Sequence, residues 1–330
     1  MNDMHVIPRK LAVAVFLLLI LAGAGVAGYQ WAFGAPERGA APERFIVPLG
    51  MAATDVPVKL TDAGLVKQAW AIQLALSLER VELVAPGGYE VSKSMSAWAI
   101  AKALRAGPYM RWVVIPEGLR KEEIAEILAT TLEWSAATKR YWISTDTAPS
   151  ADYAEGVYFP DTYLIALTEP PTDVANRLRR RFEEQFAPLA AEARTQNVRW
   201  PTLLKVASIV QREAASHDDM PLIAGILWNR LLVGMRLQVD ATVQYARGNV
   251  GNGWWAPLAP GDRDIDSPYN TYRYAGLPPR PIANSGIAAI RAVLYPATTR
   301  CLFYLHDANR EIHCAVTFEE HKQNIEQYLK

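Results

Sequence analysis

The chain has 330 residues, 51% of them hydrophobic, enough for roughly two domains with ordinary cores. Lysine plus arginine equals aspartate plus glutamate at 34 each, so the formal net charge is zero. That balance excludes the basic footprint of a nucleic-acid binder and an acidic tail, and fits a neutral sugar polymer or a mixed-charge surface better than a polyanion.

From Leu11 to Tyr29 no residue is charged. At about 1.5 Å per residue such a run nearly spans a hydrocarbon core of about 30 Å. Arg9 and Lys10 precede it, and Gln30, Trp31 and Phe33 fall where an interfacial belt would lie. The positive-inside rule then keeps the first ten residues in the cytoplasm and exports the rest. The competing reading is a cleaved signal peptide ending at Ala22-Gly23-Ala24. The run exceeds the usual apolar region of such a peptide, which favours an uncleaved anchor over residues 1–34. With no cysteine near the N-terminus, a lipoprotein is excluded.

Residues 35–44 (APERGAAPER) read as a linker. Beyond it the expected elements are a strand at Phe45–Pro48, a helix at Lys67–Leu78, a strand at Val81–Ala85 and a turn at Pro86-Gly87-Gly88. A helix at Ser94–Leu104, capped by Ser94 or Ser96, stops at Gly107-Pro108. A strand at Trp112–Ile115 and an amphipathic helix at Arg120–Leu132 follow, so helix-then-strand passages recur as a degenerate repeat. Thr172–Phe186 is a basic helix carrying Arg177, Arg179, Arg180 and Arg181, read as a solvated face with contact to phospholipid or an anionic polymer as the alternative.

Pro201–Ser216 reads as one amphipathic helix in which Leu203, Val206, Ala207, Ile209 and Val210 share a face. Glu213 lies three residues after Val210 and four after Ile209, on that apolar side. A carboxylate taken out of water has its ionised form destabilised, so it holds its proton nearer neutral pH and can act as a general acid. The bland alternative is a Glu at the helix edge paired with an Arg. Asp218 and Asp219 can cap the next helix, which runs from Pro221 to Val233 and closes at Gly234. Met235–Val243 alternates as an ordinary half-buried strand, with a groove wall formed by its polar row of Arg236, Gln238 and Asp240 as the less favoured alternative.

Cys301 and Cys314 flank a hairpin centred on Asp307–Arg310, and a disulfide between them is permitted without its register being fixed. The five histidines, at 5, 217, 306, 313 and 321, show no zinc-binding spacing, so neither metal nor cofactor is expected.

Ala207-Ser208-Ile209-Val210-Gln211-Arg212-Glu213, Asn229-Arg230-Leu231 and the run from Gly234 to Val243 together resemble the endolytic murein transglycosylase family. Val114–Gly118, Glu155–Tyr163, Ser267–Tyr272, Gly276–Asn284, His313 and Thr317–His321 agree in order, so the resemblance runs from about residue 45 to the C-terminus. It implies an α+β protein: the transmembrane helix, a LysM-like β-α-α-β module within 45–110, and a mixed α+β catalytic domain over 111–330. It implies Glu213 as catalytic acid. Gln211 stands where the family often has a second Glu. Ala241, Arg280 and Ser285 replace a usual Pro, Gly and Pro.

Candidate substrate contacts are Asn229, Arg230, Gln238, Asp240, Asn270 and Tyr272, with Glu155 and Asp161 as positioners of the acid or binders of an acetamido group. The implied reaction cleaves the bond between N-acetylmuramic acid and N-acetylglucosamine in nascent peptidoglycan, leaves a 1,6-anhydro end and thereby terminates glycan elongation. The implied location is the inner membrane, single-pass, with the catalytic part in the periplasm. Implied partners are the glycan strands, the membrane and peptidoglycan synthases, with no nucleic acid. Two rivals stand beside this reading: a hydrolytic muramidase using Asp240 or Asp161 as second carboxylate, and a non-catalytic wall-binding or division scaffold.

Overall fold

A computed structural model of the chain describes residues 9–329. The cytoplasmic tip expected for residues 1–8 lies outside the described residues, as do the side chains of Arg9 and Lys10. The chain is mixed α+β and divides into two compact units. One comprises residues up to Trp112 plus Leu164–Leu167; the other comprises Val113–Tyr163 and Thr168 onward.

The first unit opens with helix α1 (Arg9–Phe33). Its Val13–Phe33 stretch has mean hydropathy 2.0 and is long and apolar enough to cross a membrane. Strand β1 (Glu43–Val47), helices α2 (Val56–Asp62) and α3 (Ala69–Leu78), and strand β2 (Gly87–Val91) follow, then α4 (Ala97–Ala106) and β3 (Met110–Val114). Ser96 rather than Ser94 caps α4, its side chain accepting from the Ala99 amide at 3.2 Å. Leu60, Leu65, Ile72, Tyr89 and Ile100 form the centre of this unit's core.

The strand expected at Val81–Ala85 does not form; β2 begins at Gly87, inside the expected turn. The reason is close approach. A Cβ on Gly87 would sit 2.5 Å from the Met110 carbonyl oxygen and 2.5 Å from Pro108 Cβ, so only glycine lets these backbones meet. β1 and β2 pair antiparallel with Phe45 opposite Tyr89. With β4 (Thr162–Ala166) the sheet order is β1-β2-β3-β4.

Residues 35–44, expected as a linker, are instead fastened to this unit, and Glu43 and Arg44 already belong to β1. The Glu37 amide donates to the Lys93 carbonyl at 3.0 Å, and Ser92 Oγ to the Ala40 carbonyl at 2.7 Å. Just before them, Phe33 stacks on Trp98 and meets Trp70 edge-on, both with ring centroids at 5.5 Å.

The second unit is mostly helical: α5 (Lys121–Leu132), α6 (Ala136–Tyr141), α7 (Pro171–Thr195), α8 (Trp200–Glu213), α9 (Met220–Leu232), α10 (Asp240–Arg247), α11 (Ile287–Leu294) and α12 (Phe318–Tyr328), with a hairpin of β5 (Phe303–His306) and β6 (Ile312–Ala315). Helix α8 is central, packing on α9, α10 and α11; Leu203, Val206, Ala207, Ile209 and Val210 are all fully buried. Helix α7 runs past the expected end at Phe186 and through Pro188 to Thr195. Its basic cluster is largely paired: Arg177 grips Glu169 through two hydrogen bonds of 2.9 and 2.7 Å, and Arg181 meets Asp161 at 2.6 Å.

The strand expected over Met235–Val243 is absent. The extended pattern holds only to Val239, with Leu237 and Val239 buried. Gln238 takes a left-handed φ of 51° and Asp240 starts α10. A left-handed residue breaks the two-residue alternation that a strand requires. The Gln238 amide donates to Thr271 O at 3.2 Å and the Val239 amide to Thr271 Oγ1 at 3.0 Å, which fixes this turn.

Candidate active site

Glu213 is the last residue of α8, three short of the expected end. Ala214 turns extended while its amide still donates to Val210 at 2.9 Å. A carboxylate there meets the negative end of the helix dipole, which disfavours ionisation. Burial, the largest influence, pushes the Glu213 carboxyl above the ordinary range; the hydrogen bond from Tyr304 opposes this, the charge of Asp240 reinforces it, and His306 and Arg230 oppose it. The nearest partner is therefore a phenol, Tyr304 Oη donating to Glu213 Oε2 at 2.7 Å, rather than the guanidinium of the bland alternative.

Glu213 lines a cleft of about 630 Å³. Four residues singled out from the sequence, Arg230, Gln238, Asp240 and Tyr272, line it too. Asp240 accepts from Tyr272 Oη at 2.6 Å and from Arg263 Nη2 at 3.1 Å, and the Arg263 guanidinium lies 4.8 Å from the Tyr272 ring centroid. Arg230 reaches the cleft but is committed to carbonyls, donating to Leu302 at 2.6 Å and to Leu237. A second cavity of about 600 Å³ also has Asp240 and Gln244 in its wall, opposite Pro257–Gly261 and Arg263. The two cavities thus adjoin along one face of α10. Arg247 braces the far wall, donating to Pro257 O at 3.0 Å and Asp262 Oδ2 at 2.6 Å.

Four sequence candidates lie outside the cleft lining, each held by other partners. Asn229 donates to the carbonyls of Thr299 and Cys301 at 2.9 and 3.1 Å. Asn270 is fully buried, donates to Arg263 O and Ile265 O, and accepts from the Tyr272 amide at 3.0 Å, which holds the loop carrying Tyr272. Glu155 is buried and accepts from the Lys121 amide, from Asn284 Nδ2 at 2.7 Å and from Tyr245 Oη at 3.3 Å. Burial, then the charge of Glu122, pushes its carboxyl up to about 7. Asp161, engaged by Arg181, is not in the cleft either.

Sequence reasoning gave no site role to Tyr304, Trp255, Gln244, Phe303, Phe318 or His321, which with Arg212 and Ala241 complete the lining. Arg212 stacks on Trp255 at 4.0 Å, and Trp255 Nε1 donates to Glu123 at 2.8 Å. Gln211 is not idle: its Oε1 accepts from the Gly286 amide at 3.0 Å. Asp307, Glu311 and His313 bring potential ligand atoms within 4.8 Å of one another at the hairpin tip. There Asp307 is already taken by the amides of Asn309 and Glu311 and by His313.

A carboxyl whose pKa is raised by burial, on the wall of an open, polar cleft in an α+β chain, defines a candidate acid–base enzyme. Within that class, the chain belongs to the YceG-like family, whose model matches residues 45–327. It is 27% identical to the endolytic murein transglycosylase of Streptococcus pneumoniae (strain D39 / NCTC 7466) over 98% of this chain and 66% of that one. It is 28% identical to the endolytic murein transglycosylase of Bacillus subtilis (strain 168) over 86% of this chain and 84% of that one. The chain thus spans just under two thirds of the pneumococcal relative's length. A crystal structure of a yceG-like protein from Listeria monocytogenes superposes with TM-score 0.62 at 26% identity, covering 86% of this chain and 98% of that one.

Proposed function

We propose that this protein is a membrane-anchored endolytic lytic transglycosylase of nascent peptidoglycan. The observation that carries the reading is Glu213, a carboxyl whose pKa is raised by burial, beside a cleft of about 630 Å³. Its protonated form gives its proton to the oxygen linking N-acetylmuramic acid to N-acetylglucosamine as the C1–O bond breaks. The resulting carboxylate takes the proton from the C6 hydroxyl of the same muramoyl unit, and O6 bonds to C1. Glu213 ends protonated, no water is consumed, and one carboxyl suffices because the nucleophile is internal to the substrate. The adjoining cavity along Asp240, Gln244 and Arg263 supports binding of a strand to either side of the cut.

The names of the relatives support this substrate. The apolar α1 supports a single-pass anchor in the inner membrane, and the Cys301–Cys314 disulfide supports the oxidising side of it. The order β1, α2, α3, β2 supports a LysM-like glycan-binding module within 45–110, with the catalytic domain over 111–330. Peptidoglycan synthases are partners on the family resemblance alone.

Asp240 in the same cleft favours one second reading, hydrolysis with Asp240 activating water. Mass spectrometry of the products separates the two, since hydrolysis adds one water and transglycosylation does not. A Glu213→Gln variant that folds, binds glycan and still cuts it would sink the catalytic assignment.

A further inference from the structure

The β5–β6 hairpin brings to the cleft Tyr304, the one side chain among the described residues that hydrogen-bonds Glu213, at 2.7 Å. Several fastenings hold the strand that carries it. A disulfide joins Cys301, two residues before β5, to Cys314 on β6, across a sequence separation of 13. Asn229 holds the carbonyls of Thr299 and Cys301, and Arg230 Nε holds that of Leu302 at 2.6 Å. At the other end of β5, His306 Nε2 lies 3.2 Å from Asp219 Oδ2. These contacts fix the backbone on both sides of Tyr304, so the place of its phenol against Glu213 follows from the place of the hairpin.

We propose that the disulfide-closed hairpin is the positioning device of the candidate acid, with Tyr304 the positioning residue and Asn229, Arg230 and the Cys301–Cys314 bond holding it in place. The inference rests on the transglycosylase reading. An acid acting on a glycosidic oxygen must present one defined carboxyl oxygen to it. With Tyr304 donating to Oε2, that bond fixes the carboxyl's rotation and leaves Oε1 for the substrate. Burial and the Glu213 charge keep the phenol protonated, so it donates throughout the working pH range. The other charged or titratable groups that act on Glu213 are Asp240 on α10, Arg230 on α9, His306 on β5, Arg212 on α8 itself and Tyr272 from its loop. Of all these, only Tyr304 makes a hydrogen bond to it.

The fastening is reversible by a dithiol. Two electrons and two protons pass from the dithiol to the S–S bond, giving two cysteine thiols and the dithiol's own disulfide. Since no other cysteine exists, the readout is confined to this hairpin.

The test uses the full chain in detergent with isolated glycan strands, scoring 1,6-anhydro ends against pH, and follows the Glu213 carboxyl by 13C NMR titration. Tyr304→Phe is expected to lower turnover by roughly ten-fold. It also moves the high-pH limb upward, because a bond favouring the ionised acid is gone and activity falls only when the acid deprotonates. Cys301→Ser with Cys314→Ser, and the parent chain treated with dithiothreitol, are expected to move limb and titration the same way. In the Tyr304→Phe background, loss of the disulfide should add little.

An unmoved limb and titration in Tyr304→Phe, or a disulfide effect of equal size with and without the phenol oxygen, overturns the proposal. Should the serine pair not fold, Tyr304→Phe, which leaves the bond intact, decides alone. If the oxidised parent makes no anhydro ends, the transglycosylase reading fails instead, and the carboxyl titration still decides whether Tyr304 governs Glu213.

Discussion

Two carboxyls, the half-buried Glu213 and the buried Glu155, are both pushed up by desolvation, yet their surroundings assign them different work. Glu213 opens onto the cleft, so Glu213→Gln is expected to cut anhydro-end formation by at least about a thousand-fold while the thermal transition stays near the parent's. Glu155 ties Lys121, Asn284 and Tyr245 together and should act on stability. A folded-state value of about 7 lies above the free-glutamate value, so the folded chain binds this proton more tightly. That contribution is full below roughly pH 4 and is lost as pH rises toward 7, to a total on the order of 3 kcal/mol. Glu155→Gln should therefore flatten the fall in Tm between pH 5 and 8; a slope equal to the parent's would refute the assignment. The apolar spacing of Val206, Ile209 and Val210 made Glu213 legible in the sequence. Tyr304 was not, because it lies 91 residues away and reaches Glu213 only through a hairpin whose docking depends on Asn229 and Arg230.

Helices with one strongly apolar face were readable to within a few residues, as α5 and α8 illustrate. Misreadings fell where backbone conformation, rather than side-chain pattern, decides. Gly87 looked like a turn residue and is a strand residue because Met110 and Pro108 crowd it. Gln238 looked like one step of an alternating ribbon and is a left-handed turn. The same logic reverses a usual expectation in α9. Glycine to alanine inside a helix ordinarily stabilises by about 1 kcal/mol. At Gly225 an added Cβ would lie 2.4 Å from the Ala297 carbonyl oxygen. Gly225→Ala is therefore expected to lower Tm, measured by thermal denaturation, and a rise would show that the 297 loop yields easily.

For the whole molecule, an N-terminal helix long and apolar enough to cross a membrane was legible from hydropathy, and the mixed α+β class from the family resemblance. Whether the apolar helix is retained is a question of mass. Protein recovered from the membrane fraction should have the full 36.6 kDa of the chain, and a product starting after Ala24 would replace the anchor with a signal peptide. The stretch expected to be a loose spacer instead carries hydrogen bonds to Ser92 and Lys93, and Phe33 is wedged against Trp70 and Trp98. With α1 embedded in a bilayer, the first unit would ride directly on its stalk, with no slack for it to swing outward. Anything this unit bound would then be held within about one domain's width of the lipid, and its reach would be set by the fold rather than by a tether.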